Sequence, residues 1–128
     1  MGAGGVSERK QALQELRDKV AEGVKYETMG HTVMCQKAFP KPDGFDGSRE
    51  SYAKSEAQQA ILVWRNGSLD AAQALHEAVL PRWVWCIDFR QSWIATVGFE
   101  DIKHSSDTPA RAWLLCIIDA LIAEADNG

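Results

Sequence analysis

Apolar residues recur at the spacing of an α-helix in two stretches of the first half of the chain. The first stretch predicts a helix from a cap at Ser7 to about Val20, before the helix-stopping Gly23. The second predicts one continuous helix that begins at Ser48 and ends at a left-handed C-cap on Gly67. The apolar stripe of this second helix consists of Tyr52, Ala53, Ala57, Ala60, Ile61 and Trp64.

Two further helices begin at capping residues. Ser68 follows Gly67 directly and is expected to cap a helix that Pro81 ends. Its apolar stripe is Leu69, Ala72, Leu75 and Val79. A cap at Thr108 with proline at the first helical position then predicts a terminal helix. The wide apolar face of that helix contains Trp113, Leu114, Ile117, Ile118, Leu121 and Ile122.

Alternating side chains predict strands between these helices. Residues 82–89 place four large apolar side chains on one face and Val84 and Cys86 on the other, so this strand is expected to be covered on both faces. Residues 93–99 are its expected antiparallel partner, and a third short strand is predicted over residues 102–105. Residues 31–36 also alternate and predict a further short strand.

Turn-forming residues predict the longest loop of the chain over residues 39–47, which contain two prolines and two Asp-Gly steps. Phe39 and Phe45 lie in this loop, where no core is expected to receive them, so both are candidates for contact with a partner.

Together the elements predict an α+β fold in which a short antiparallel sheet lies between layers of helices, an α/β/α sandwich. A chain of 128 residues with 45% hydrophobic content is long enough for one core. We expect residues 1–6 to form a flexible leader and residues 7–128 to form a single domain.

The charge distribution bears on the choice of partner. A net charge of −4 argues against direct binding of nucleic acid, which normally requires a basic patch. The excess negative charge lies after residue 98, and it is either an ordinary solvated face or a surface that mimics nucleic acid toward a basic partner. The predicted partner-binding surface combines this region with the long loop. Its members are Phe39, Phe45, Glu100, Asp101 and Asp107.

The three cysteines are widely spaced and odd in number, which fits neither a disulfide framework nor a zinc site. None of the three histidines has a second ligand at metal-binding spacing. We therefore expect no metal or other cofactor, and a reducing, cytoplasmic environment. No apolar run reaches the roughly 18 residues of a membrane-spanning helix, so no membrane association is expected.

A nucleophilic set is the main catalytic alternative. Cys86 or Cys116 could combine with His76 or His104, because such partners need not be close in sequence. Both cysteines lie in apolar patterns, however, and inert buried thiols are the preferred interpretation. Without a catalytic constellation we expect no enzyme, and a small cysteine/histidine hydrolase is kept as an alternative.

The chain contains five tryptophans, which is a notable number for its length. A shared aromatic core is the preferred interpretation. Alternatively, some of them anchor an interface or stack on the base of a nucleotide ligand. They are Trp64, Trp83, Trp85, Trp93 and Trp113.

Three segments occur in an order that resembles the phage ABA-sandwich domain family, small bacteriophage and prophage proteins. They are Asn-Gly-Ser-Leu-Asp-Ala-Ala at 66–72, Pro-Arg-Trp-Val-Trp at 81–85 and Thr-Pro-Ala-Arg-Ala-Trp at 108–113. The likeness covers residues 66–97 and 108–123, about half the chain. It implies a phage or prophage source and an α/β/α layering, and it transfers no catalytic residue.

The resemblance, the small size and the acidity lead to a functional expectation. We expect a non-enzymatic phage accessory protein in the host cytoplasm that binds a host protein and inhibits a host defence such as CRISPR immunity. A homo-oligomer is compatible with this role. The alternative from another class is a small-ligand binder that captures a nucleotide signal between helix and sheet.

Overall fold

A computed structural model describes residues 3–27, 29–41, 45–89, 91–98 and 102–127 of the chain. These residues form helices and a three-stranded antiparallel sheet, which confirms the predicted α+β class. The elements are α1 (Ala3–Ala21), α2 (Met29–Ala38), α3 (Arg49–Lys54), α4 (Glu56–Asn66), α5 (Leu69–Val79), β1 (Trp85–Phe89), β2 (Trp93–Val97), β3 (Ile102–Ser106) and α6 (Pro109–Asn127).

The sheet is a simple meander in the order β1-β2-β3, with β2 in the centre. Trp85 pairs with Val97 and Phe89 with Trp93, and Val97 pairs in turn with Ile102. Ala95 and Val97 are fully buried on one face of β2 because α6 packs across β2 and β3 there. The first and last strands are therefore both edges of the sheet.

The layer order differs in one respect from the predicted sandwich. Helix α6 is the central layer, with the sheet on one side and α1, α4 and α5 on the other. In the described parts of the chain no helix packs closely on the opposite face of the sheet, where Cys86 is exposed. Apolar side chains on both faces of a short strand therefore did not require cover on both faces.

The strand predicted over residues 31–36 is wrong, because these residues belong to α2. Cys35 and Ala38 are completely buried three positions apart, which is the spacing of one helix face. That face packs against α1 and, less extensively, against α4. A six-residue alternation is too short to distinguish a strand from a buried helix segment.

The helix predicted from Ser48 to Gly67 is two helices that meet at Ser55. Ser55 has an extended backbone (φ −66°, ψ 149°), and its hydroxyl accepts a hydrogen bond from the Gln58 N–H to cap α4. A serine hydroxyl that bonds to nearby backbone favours a helix start over a helix interior. The break leaves Tyr52, predicted to be in the apolar stripe, 47% exposed.

Helix α1 begins at Ala3, before the predicted Ser7 cap, so residues 3–6 of the predicted leader are helical. Its end agrees with the sequence. Gly23 adopts a left-handed conformation (φ 78°), and the Val24 N–H bonds back to the Lys19 carbonyl. This six-to-one bond with a left-handed glycine is a Schellman ending.

The remaining predicted caps are confirmed. The Ser68 hydroxyl accepts from the Ala71 N–H, and the Thr108 hydroxyl accepts from the Arg111 N–H. Gly67 has φ 64° and lies against Thr108, so the α4–α5 corner contacts the start of α6. None of the helices in the described residues is long and apolar enough to cross a membrane.

Candidate functional site

The largest cluster of exposed apolar side chains lies on and beside strand β1. Val84 is 50% exposed, Trp85 43% and Phe89 56%. Trp85 and Phe89 share the face of the sheet that α6 covers, since their partners Val97 and Trp93 lie on that face. Helix α6 crosses β2 and β3 and reaches β1 at few positions, which leaves Trp85 and Phe89, here called the aromatic row, incompletely covered.

Two aromatic contacts fix the side chains of this row. Trp85 packs on Trp113 of α6 with ring centroids 4.2 Å apart, and Phe89 packs on Trp93 at 4.9 Å. Trp113 itself is buried and donates its indole N–H to Nδ1 of His76 at 3.1 Å. Trp85 is therefore in contact with the core through Trp113, whereas Phe89 packs on the half-buried Trp93.

The backbone of β1 is directed outward at the same residues. The Gly98 N–H donates to the Val84 carbonyl, so the peptide groups of Val84 point toward β2. Because this direction alternates along an antiparallel strand, the N–H and C=O groups of Trp85, Ile87 and Phe89 point to the free edge. Among the described residues no strand pairs with these outward backbone groups, which lie beside exposed aromatic side chains.

The structure describes three of the five residues of the partner-binding surface predicted from the sequence. Phe39 is buried, because its N–H continues the α2 hydrogen-bond pattern to Cys35 and turns the ring into the core. Phe45 is half-buried edge-to-face against Tyr52 at 5.0 Å. Glu100 and Asp101 lie outside the described residues.

Asp107 is the one predicted surface residue that the structure describes as exposed. Its carboxylate accepts a hydrogen bond from the Ser106 hydroxyl at 3.0 Å and faces Nη1 of Arg111 at 3.5 Å. The Ser106 hydrogen bond and the Arg111 charge hold its pKa below the usual value. Contacts within the chain, from Ser106 and Arg111, therefore satisfy the Asp107 carboxylate.

The tryptophans divide between the two interpretations. Trp64 and Trp113 are buried, and the Trp64 indole N–H donates to the Val24 carbonyl at 2.7 Å. Trp83 and Trp93 are half-buried. Trp85 alone is exposed, so the predicted shared core holds for most of the set and the interface alternative applies to β1.

The two cysteines of the predicted catalytic set lie in different environments. Cys86 is exposed, which contradicts the prediction of a buried thiol, because its face of the sheet has no close helix. Cys116 is buried as predicted, and burial raises the pKa of its thiol to about 12. Its S–H donates to the Ala95 carbonyl at 3.2 Å. A thiol that is protonated at neutral pH and already bonded to backbone is a poor nucleophile.

His76 also has a structural role. It is 2% exposed, its Nε2 lies 2.8 Å from the Trp83 carbonyl, and its Nδ1 accepts from Trp113. The ring is therefore neutral with the proton on Nε2. Both nitrogens are occupied, so His76 serves as a link between α5, the segment before β1, and α6.

His104 belongs to a charged cluster that sequence reasoning missed. Its Nε2 is hydrogen-bonded to one carboxylate oxygen of Asp119, and Arg17 donates to the other at 3.2 Å. Partial burial opposes ionisation of Asp119, but the bonds from His104 and Arg17 outweigh it and lower its pKa. The available signal was Asp119 itself, a charged residue within the wide apolar face of α6.

This cluster ties β3, α6 and α1 together across the central layer. The Cys116 thiol bonds to the carbonyl groups of Ala95 and Ile102, and no group of three His, Cys, Asp or Glu side chains in the described chain is placed to hold a metal ion. The arrangement is a partly buried ion network with a structural role.

A cleft of about 530 Å³ lies between the end of α1, the end of α4, β3 and the start of α6. Lys25, Arg65 and Arg111 line it together with Ser105 and Tyr26. The Arg111 guanidinium bonds to the Trp64 carbonyl through Nε and Nη2, at 3.3 and 3.1 Å. The exposed cations of the cleft are therefore Lys25 and Arg65.

Comparison of the chain with protein-family models, with curated proteins and with solved structures finds no match.

Proposed function

We propose that this protein is a non-enzymatic binding protein whose contact element is strand β1. The observation that carries the proposal is the coincidence of exposed Trp85 and Phe89 with backbone groups that point to the free edge. Aromatic anchors supply much of the affinity of protein interfaces, and an exposed edge accepts an extended segment of a partner as an added strand.

The sequence also points to a class of partner. The resemblance of the three sequence segments to phage proteins supports a phage or prophage accessory protein that acts on a host protein, with inhibition of a host defence such as CRISPR immunity as the concrete case. The partner would contribute an extended strand with apolar side chains toward the aromatic row.

A charge introduced in the row tests the proposal. A tagged protein isolated from bacteria that encode the defence should retain its partner through washing, and Phe89→Glu should reduce the retained partner at least about tenfold, since a buried unpaired charge is costly at an interface. Leu69→Glu is the matched control, because Leu69 is exposed to 45% at the start of α5, away from β1.

The defence itself gives a second measurement. Phage plating on a CRISPR-immune host that expresses the protein should rise, and Phe89→Glu should remove this rise while Leu69→Glu retains it. If Phe89→Glu and Leu69→Glu retain the partner equally and raise phage plating equally, the contact surface is not β1. Absence of protection by the wild type would reject the CRISPR version alone.

A second candidate function is capture of a nucleotide in the cleft at the end of α1. Three cations, Lys25, Arg65 and Arg111, outnumber the two carboxylates of the lining, Glu22 and Asp107, which gives the cleft a small positive excess for an anionic ligand. Protein purified under native conditions should then release an ultraviolet-absorbing ligand on denaturation, and Arg65→Ala should release less. Release of no ligand, together with no shift in melting temperature on addition of nucleotides, would reject this candidate.

A further inference from the structure

Strand β1 has few of the features that protect a sheet edge, namely its short length of five residues and one charged side chain, Asp88. It contains neither proline nor lysine, and it pairs with β2 residue for residue from Trp85 to Phe89, without a bulge. Edges of this kind readily pair with another strand. The sequence of the strand indicates which partner strand fits this edge.

The side chains of β1 are symmetric about its centre. An aromatic residue lies two positions before Ile87 and another lies two positions after it, all on the face toward α6. If two copies of the strand run antiparallel with Ile87 opposite Ile87, Trp85 of each copy lies opposite Phe89 of the other. Aromatic cross-strand pairs of this type stabilise a sheet.

The backbone directions agree with the same register. Trp85, Ile87 and Phe89 direct their N–H and C=O groups to the free edge, as the Gly98 to Val84 bond requires. In the register centred on Ile87 these residues face each other, so each outward donor meets an outward acceptor. A register in which Cys86 lies opposite Ile87 of the other copy would place inward-bonded groups opposite outward ones and lose these bonds.

We propose that β1 pairs with β1 of a second copy of this chain across a two-fold axis at Ile87, which joins the two sheets into one of six strands. The interface is isologous, as in most homodimers. A host protein that adds a strand to β1 competes with this dimer, but the dimer does not depend on the existence of that host protein. Failure of one proposal therefore leaves the other open.

Cys86 gives a register-specific test. In the proposed dimer Cys86 lies opposite Asp88 of the other copy, so the two Cys86 side chains are diagonal neighbours on the open face, with Cβ atoms roughly 7–8 Å apart. Cys35 and Cys116 are buried, so Cys86 is the accessible thiol. A bismaleimide with a short ethylene spacer should convert the 14.2 kDa chain into a covalent dimer.

The mass in solution should also double. Light scattering at about 100 μM, above the roughly micromolar Kd expected of a small interface, should give twice the monomer mass. Phe89→Glu should restore the monomer mass and reduce cross-linking at least about tenfold, whereas Leu69→Glu should leave both unchanged. Cys86→Ser should remove the cross-link and keep the doubled mass.

Opposite charges at the centre test the two-fold axis itself. Ile87→Lys and Ile87→Glu should each be monomeric, since like charges lie opposite each other, and a mixture of the two should form a heterodimer. Circular dichroism checks that both variants fold; if either does not, the Phe89→Glu measurements decide. A wild-type mass that stays monomeric without a Cys86 cross-link, or a dimer that persists in Phe89→Glu, would overturn the proposal.

Discussion

Asp119 shows how one charged side chain can be held within an apolar helix face. Its two carboxylate oxygens are bonded to His104 and Arg17, which satisfies the charge where α6 meets β3 and α1. A carboxylate left without such partners at a site this enclosed would be destabilising. The cluster therefore fixes the orientation of three elements, although it contains residue types often found at active sites.

Removal of this carboxylate should change the pH dependence of stability. At pH 7, Asp119→Asn should lower the free energy of unfolding by about 2 kcal/mol, because two charge-assisted hydrogen bonds are weakened. The pKa of Asp119 is lower in the folded chain, so its contribution is present above the unfolded pKa of about 4 and is lost as the pH falls through the lower folded value.

Urea unfolding at pH 7 and at pH 3 measures this difference. The gap between wild type and Asp119→Asn should be smaller at pH 3, because this pH lies below the unfolded pKa of about 4 and protonation of the unfolded chain reduces the contribution of the carboxylate. Glu124→Gln is the control on the same helix, because Glu124 is exposed. A gap of equal size at both pH values would mean that the charge of Asp119 contributes nothing.

At the scale of elements, the corner between α4 and α5 depends on one backbone conformation. Gly67 closes α4 with φ 64° and is followed at once by the Ser68 cap of α5. Such a conformation is costly for residues with a Cβ atom. A Cβ at this position would meet Thr108 at 3.7 Å, an ordinary contact, so the space allows a side chain and only the backbone opposes it.

Gly67→Ala should therefore lower the free energy of unfolding by about 1 kcal/mol. Gly30→Ala is the matched control with the opposite sign, because Gly30 lies within α2 with open space around it and should gain about 0.5–1 kcal/mol. Thermal unfolding of the three proteins measures both effects. Equal melting temperatures for Gly67→Ala and wild type would contradict the strained corner.

At the scale of the whole molecule, α6 is the element on which the others assemble. Its residues Leu114, Ile117 and Ile118 have no solvent exposure, since the helix has the sheet on one side and α1, α4 and α5 on the other. The buried apolar residues form one cluster that includes side chains from both sides. The sheet and the helices should therefore unfold together.

Ile118→Ala tests this coupling. Loss of a fully buried side chain of this size should cost about 2–5 kcal/mol. Tryptophan fluorescence and far-ultraviolet circular dichroism should report the same single transition, shifted equally by the variant. Separate transitions, or a shift in one signal alone, would show that the layers are stabilised independently.

Local signals determined much of the secondary structure. Ser68, Thr108 and Gly67 were predicted correctly because a cap or a left-handed glycine acts through hydrogen bonds to residues only three or four positions away. The order of the strands followed in the same way from alternation and short connections. These features depend on neighbours along the chain, so they can be read without knowledge of the fold.

Tertiary structure decided the surfaces. Cys86 and Phe39 were assigned to the wrong environments because burial depends on which element packs nearby: no helix packs closely over Cys86, while Phe39 turns into the core. Strand β1 was expected to be covered on both faces, but among the described residues only α6 packs closely on the sheet, on one face, and a three-strand meander leaves β1 at the edge. The sequence by itself determined the α+β class and most helix ends. Contacts between residues distant in sequence decided the central place of α6, the Asp119 cluster and the exposed aromatic row, because no local pattern encodes such contacts.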